Sequence, residues 1–478
     1  MVLFILILST NYLPAYAVKP KVIVYPAPAG EKLSGLYQVN VSGRAVPVYM
    51  AKVAPKDKAR RYKATDDTRN SALYFDEAAF AYFDMRRKIE VTVSVPENID
   101  SVKILPLSAS VKPVFKQGRI TFWLTKPQNL TIEVNGEYVK SLHLFANPID
   151  ANIPSANDKN VIFFGPGIHQ VSHLTVGDNK TVYVAGGAIV QAVIDPGEPF
   201  TIKGKDSLKN YGTPSFDLRG NNITIRGGGI IDASACPTHA RSLLMVRGTN
   251  IRVEGLILRD VALWTVPVRQ SDNVVIDNIK LLGYRANSDG IDICNSRNVV
   301  VQNCFIRTSD DLVVIKSDKG QGAVKNITVK NCVLWNQIAH ALSIGAELRE
   351  PVDSVLFTDC DIIHDQGREW SLRVYHCDAA VISHVRFENI RIEEAHRLIS
   401  LWIGKAIWSR DNDYGHIHDV VFKNITATGA PLTIELKGMD KGHAIQNVGF
   451  DNIKLNGKAM TITDAKANEF ATGISVLP

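Results

Sequence analysis

A nine-residue pattern, "NVVVQNCFI" from Asn298, recurs along the chain and limits its fold more than any other feature. It matches "NITIRGGGI" from Asn222, "NIRVEGLIL" from Asn250 and "NVVIDNIKL" from Asn273. It returns as "NITVKNCVL" from Asn326, "SVLFTDCDI" from Ser354, "HVRFENIRI" from His384, "DVVFKNITA" from Asp419 and "NVGFDNIKL" from Asn447. These nine copies start 28, 23, 25, 28, 28, 30, 35 and 28 residues apart, and "TVYVAGGAI" from Thr181 is a looser tenth. A period in the twenties with strand-type alternation means a solenoid of stacked coils. The leucine spacing and helical segment of a leucine-rich repeat are missing. Each copy is two short strands flanking one polar or glycine residue, as at Asn278, Asn303, Asn331, Asp359, Asn389, Asn424 and Asn452. That residue must bend the chain sharply, and Asn is among the few residues besides Gly that tolerate the left-handed conformation. Stacked copies would also align these amides into a hydrogen-bonded ladder. The pattern predicts an all-β chain whose residues 161–478 form a right-handed parallel β-helix of about ten coils.

The N-terminal part reads differently. "KIEVTVSV", "RITFWLT" and "LTIEVNGEYVKSLHLF" are short strands without an internal repeat, and Asn135-Gly136 is a two-residue hairpin signal. Residues 18–146 are expected to form an antiparallel β-sandwich. Residues 147–160, rich in Pro, Asn and Asp, read as a linker. The opening "MVLFILILSTNYLPAYA" reads as a secretory signal, 1–17, with cleavage after Ala17, and implies a secreted or periplasmic protein. It is too short to span a bilayer comfortably, and no later segment reads as a membrane span. Net charge is +6 among 21% charged residues, too weak and scattered for a nucleic-acid partner. Cys304, Cys332 and Cys360 fall 28 residues apart at one place in the repeat, which predicts stacked, buried thiols rather than disulfides. The pattern leaves Cys236, Cys294 and Cys377 undecided.

Three of the four aspartates in "NSDGIDICNSRNVVVQNCFIRTSDD", residues 287–311, stand out against its apolar texture: Asp289, Asp310 and Asp311. Coils stack about 4.8 Å apart, so residues one repeat apart meet on neighbouring coils. Asp289 lies 16 residues past its coil start, Asp310 and Asp311 12 and 13 past theirs, and His340 14 past its own. All four follow the second strand of a coil and should converge in one groove. Carboxylates so close cannot all ionise freely, and a raised acid beside an ionised base is what hydrolysis of a glycosidic bond requires. Any one aspartate alone would be read as a turn cap. A calcium site is the intermediate reading, because clustered oxygens also suit that ion.

"NSDGIDI", "TSDD", "AHALSIGAE" and "LRVYH" resemble, in order, the Asn-Thr-Asp, Gly-Asp-Asp, Gly-His-Gly and Arg-Ile-Lys motifs of the polygalacturonase family, glycoside hydrolase family 28. The resemblance runs from about residue 160 to 470. The sandwich in front, with "VIFFGPGIHQV" after it, is more similar to the dextranase and isopullulanase family, family 49. The resemblance implies an inverting hydrolase of a polysaccharide or oligosaccharide that needs no cofactor and no metal. It casts Asp310 as general acid, Asp289 and Asp311 as the pair that activates water, His340 as their support and Arg373 as a substrate ligand.

The departures concern the substrate. Ser288, Ser309, Ala339 and Ala341 are small residues replacing small ones, but the lysine of Arg-Ile-Lys becomes Tyr375. Tyrosine cannot replace a point charge that grips a carboxylate; it offers a ring face and one hydroxyl. Further candidates for substrate contact are Lys316, Trp264, Trp370 and Tyr284, with Trp402 and Trp408 as weaker aromatic candidates. Two other classes compete with the hydrolase. A calcium-dependent lyase would need a uronate substrate and a basic catalyst, whereas a carbohydrate-binding solenoid would need no carboxylate cluster.

Overall fold

The structure, a computed structural model, describes residues 21–57, 60, 74–196, 213–365 and 367–478. The stretch read as a secretory signal lies outside the described residues. Among those residues there is no α-helix, and no helix is long and apolar enough to cross a membrane.

The solenoid is the larger part. Its strands pair in parallel, coil upon coil, from Val161–Phe164 to Ala471–Leu477. Each full coil contributes three strands, so the stack has three faces. The register confirms the repeat residue by residue. On the first face Val274, Val299, Ile327, Val355, Val385, Val420 and Val448 stack in one row. On the second, Leu281, Ile306, Leu334, Ile362 and Ile392 do the same. On the third, Ile291, Val313, Leu342, Leu372, Ile399 and Ile434 stack. All these rows point inward and form one continuous apolar core. Strand alternation then obliges the residues between them to point outward, and on the third face this decides the chemistry.

The expected bends are present. Asn278, Asn303, Asn331, Asp359, Asn389, Asn424 and Asn452 all have φ between 52° and 58°. The amide ladder at this position runs only through its last steps, where Asn424 donates to Asn389 (3.0 Å) and Asn452 to Asn424 (2.8 Å). A second ladder stands at the first residue of the copies. Asn222 donates to Asn179 (3.0 Å), Asn250 to Asn222 (3.1 Å) and Asn273 to Asn250 (2.6 Å). These residues are left-handed too, so the recurring initial Asn marks a corner rather than the start of a strand. All six cysteines are free and buried.

The N-terminal strands form two facing sheets. One contains Val22–Ile23, Val48–Val53, Asp76–Met85, Val102–Leu105, Gln128–Val134 and Glu137–Pro148, and the other Gln38–Val41, Arg44–Val46, Ile89–Ser94, Val114–Lys116 and Arg119–Leu124. Asn135 and Gly136 make the expected hairpin, both at positive φ. The sandwich is not purely antiparallel, because Asp76–Met85 and Glu137–Pro148 run parallel, with Leu142 opposite Ala79. The expected linker is also tied down: Asp150 accepts hydrogen bonds from Arg226 (2.8 Å) and Tyr183 (3.1 Å) of the solenoid. The first sheet has apolar residues on both faces. Its inner face packs on the second sheet, and Tyr49, Phe80, Tyr82 and Phe145 pack on Ile257, Leu282, Phe305 and Trp335 of the solenoid's second face.

Candidate active site

The loops joining the second face to the third carry the aspartates. They are held in register by backbone hydrogen bonds that extend the sheet through the corner. Thr265 N–H donates to Asp289 O (2.8 Å), Gly290 N–H to Asp311 O (2.8 Å) and Leu312 N–H to His340 O (3.0 Å). Gly290 is required here because a Cβ would lie 2.3 Å from Leu312 O. Buried Ser288 locks the first two loops together, its hydroxyl donating to Arg285 O (2.6 Å) and accepting from Ser309 N–H (3.3 Å).

Convergence follows from this register. One carboxylate oxygen each from Asp289, Asp310 and Asp311 lie within 4.8 Å of one another. His340 Nδ1 is 2.6 Å from Asp311 Oδ1, and Arg373 Nη1 is 2.9 Å from His340 Nε2. A guanidinium can only donate, so Nε2 accepts and Nδ1–H donates to Asp311. Arg373 thereby sets the tautomer that serves the carboxylate. The same guanidinium pairs with Glu369 (2.7 Å) and lies 3.9 Å from the centre of the Tyr375 ring.

The outward row of the third face supplies the rest. Lys316, in "VVIKS", points outward between inward-facing residues and bridges Asp289 (3.2 Å) and Asp292 (3.0 Å). Its ammonium also lies 4.1 Å from the Trp264 ring centre. Asp292 is fully buried and had no role in the sequence reading, although "GIDI" placed it at an outward position beside Asp289. That alternation was the available signal. Glu369 had none, since it lies in a loop without repeat register.

Environment separates the four aspartates. Burial, then the charges of Asp289 and Asp311, push Asp310 well above the usual carboxylate range. Burial raises Asp289 to about 6, against the pull of Lys316. Burial likewise pushes Asp292 well up. Asp311 goes the other way: burial opposes its charge, but His340 and Lys316 more than offset that and hold it low. Asp289 Oδ1 and Asp292 Oδ2 are buried without a hydrogen-bond partner, which is costly unless a ligand or water meets them. The three-carboxylate set has the spacing to hold a cation, yet the Lys316 ammonium already supplies positive charge to Asp289.

Two expected sugar contacts are corrected. Tyr284 is 5% exposed and packs on Phe75 of the N-terminal part, ring centres 5.4 Å apart. Trp370 is 6% exposed, with Arg397 5.9 Å from its ring. Rings so buried offer no open face to a sugar. Trp264 and Tyr375 are partly open beside the cluster, and Trp402 follows one coil on, 5.2 Å from Tyr375. A cavity of about 1030 Å³ lies elsewhere, at the sandwich junction between Asn147, Arg226, Asn303 and Asp361, and contains none of the three clustered aspartates.

The site is thus a groove on a parallel β-helix, with three carboxylates and a histidine from its loops and an arginine from a strand of its third face. Residues 167–473 match the model of glycosyl hydrolases family 28, and the chain belongs to that family. It is 27% identical over 281 residues to a polygalacturonase of Juniperus ashei, an alignment covering 55% of this chain and 53% of that protein. It is 26% identical over 282 residues to an exopolygalacturonase of Arabidopsis thaliana, covering 57% and 64%. The chain thus spans about half to two-thirds of the length of these relatives. The fold is similar to that of Dex49A from Penicillium minioluteum, with a TM-score of 0.67 and 14% identity over 95% of this chain and 96% of that one. That likeness takes in the sandwich as well as the solenoid.

Proposed function

We propose that the chain is a glycoside hydrolase that cleaves an internal or terminal bond of a polysaccharide with inversion at the anomeric carbon. The convergence of Asp289, Asp310 and Asp311 within 4.8 Å, with His340 on Asp311, carries this reading. Asp310, pushed up by burial and its acidic neighbours, donates to the glycosidic oxygen, while Asp311, held low beside His340, and Asp289 activate the attacking water. Arg373 and Lys316 fix the two ends of this set, and Trp264 and Tyr375 line the groove on either side. One oxygen from each of Asp289, Asp310 and Asp311 lies within 4.8 Å of the others, a three-carboxylate cluster rather than the two lone carboxyls of an ordinary inverting pair. In this reading Asp289 and Asp311 together would activate a water on the flank opposite Asp310. The sandwich, residues 18–146, serves as a separate domain docked on the second face, away from the groove. The apolar stretch ending in Ala15-Tyr16-Ala17 supports export, which N-terminal sequencing of the mature protein would check.

The test is the first product. Proton NMR during early turnover should show a new reducing end with inverted anomeric configuration, and activity should survive EDTA. Retention of configuration would overturn the assignment of Asp289 and Asp311 as water activators. Unsaturated ends abolished by chelator would replace hydrolysis with β-elimination.

A further inference from the structure

Resting on the hydrolase reading, we infer that Glu369 makes the subsite over Tyr375 select an uncharged sugar. Three observations meet there. First, the cations of the groove are committed to carboxylates. Lys316 is 10% exposed at its side chain and lies between Asp289 and Asp292. Arg373, also 10% exposed, donates to Glu369 at 2.7 Å, and Glu369 additionally lies 3.7 Å from the outlying Arg368. Second, acidic groups exceed basic ones. Asp289, Asp292, Asp310, Asp311 and Glu369 surround Lys316 and Arg373, so even with the three raised carboxyls protonated the two cations are matched by Asp311 and Glu369. A sugar carboxylate entering it would meet repulsion and would have to displace Glu369 from Arg373. Third, the surface presented instead is aromatic. Tyr375 and Trp402 occupy successive outward positions of the third face, their rings edge to face at 5.2 Å. Rings of this kind bury the apolar face of a neutral pyranose while their polar edges reach a hydroxyl.

Glu369 thus acts through Arg373 as a positioning and specificity residue: it orients the guanidinium toward His340 and cancels its charge toward substrate. A glutamate at this loop position keeps the reaction and changes what is admitted.

The experiment compares polygalacturonate, its fully methyl-esterified form and a panel of neutral α-glycans, for the wild type, Glu369→Gln and Glu369→Asp. The wild type should turn over uncharged chains at least about tenfold better in kcat/KM than polygalacturonate. Glu369→Gln should narrow that ratio by about tenfold, mostly through KM for the acid, and Glu369→Asp should restore it. The restoration separates charge selection from a merely structural role. Wild-type preference for polygalacturonate, with a ratio unmoved by Glu369→Gln, would overturn the inference and leave hydrolysis standing. Absence of new reducing ends from every glycan would remove the hydrolase reading itself, and this inference with it.

Discussion

The solenoid buries charge on two of its faces, and the two places are built to opposite rules. Against the sandwich, the cations Arg259 and His364 each sit on two carboxylates, while buried Lys280 has only the oxygens of Asn147 and Asn278 and burial lowers it to about 7. Arg259 binds Asp232 and grips Glu31 with two bonds of 2.8 and 3.1 Å, and His364 lies between Glu133 (2.5 Å) and Glu394 (2.6 Å). In the groove the carboxylates crowd one another, and the Asp289 and Asp292 side chains each keep a buried oxygen without a partner. At the junction the pairs hold Asp232 below the usual carboxylate range, because Arg259 outweighs the burial that would raise it. In the groove, burial and mutual repulsion win and Asp310 rises. Burial alone therefore does not mark a functional carboxylate. The balance of partners does.

The largest expected effect tests the junction. Arg259→Met removes one partner and leaves Asp232 and Glu31 buried without compensation, which should cost about 3–5 kcal/mol. Chemical denaturation would read the loss. Activity per folded molecule should be unchanged, since Arg259 lies on the second face. A loss of turnover at full folding would show that the two regions are not independent.

The groove should respond in the reverse way. Asp310→Asn keeps shape but removes the proton donor, so kcat should fall at least about a hundredfold, equivalent to about 2.7 kcal/mol in the barrier. Substrate affinity should be largely kept. Near-normal turnover on a true substrate would displace Asp310 from the role of acid.

What could be read in advance follows the same division. The solenoid was legible because stacking forces each coil to repeat the last, so the fixed offsets of Asn303, Cys304 and Ile306 expose the register. The same register placed Asp289, Asp310, Asp311 and His340 on one flank. Asp292 was within reach of the alternation argument, whereas Glu369 was not, since an irregular loop carries no period. Tyr284 and Trp370 were misread for a related reason. Aromatic residues near a motif suggest a sugar platform, but only packing against Phe75 and the neighbouring coils decides whether the ring is open. The second ladder was visible as recurring Asn at the head of six of the nine copies, and its meaning depended on knowing that this position is a corner. In the sandwich, hairpin chemistry revealed Asn135-Gly136, but the parallel pairing of Asp76–Met85 with Glu137–Pro148 joins strands far apart in sequence and leaves no local trace.

The smallest expected effect is the one that sets the two regions most sharply against each other, and it concerns stability as a function of pH. Asp310 has its folded value raised above the unfolded value of about 3.9. Its favourable contribution is therefore complete below that unfolded value and is lost as pH rises through the folded one. Asp289, raised to about 6, behaves alike, losing its contribution between about pH 4 and pH 6. Asp310→Asn removes the first of these penalties, so the variant should match the wild type near pH 4 and exceed it at pH 8 by about 1 kcal/mol, the scale common when a functional site is relieved of strain. At the junction the sign is reversed. Asp232 has its folded value lowered, so its contribution is present above the unfolded value and is lost as pH falls. Without Arg259, burial would raise Asp232 above the unfolded value, so the deficit of Arg259→Met should grow as pH rises above about 4 while the gain of Asp310→Asn grows alongside it. Melting temperatures of the three proteins between pH 4 and 8 would show the two curves diverging from the wild type on opposite sides. Parallel curves would mean that Asp310 is as well compensated as Asp232, and the proton held in the groove would need another owner.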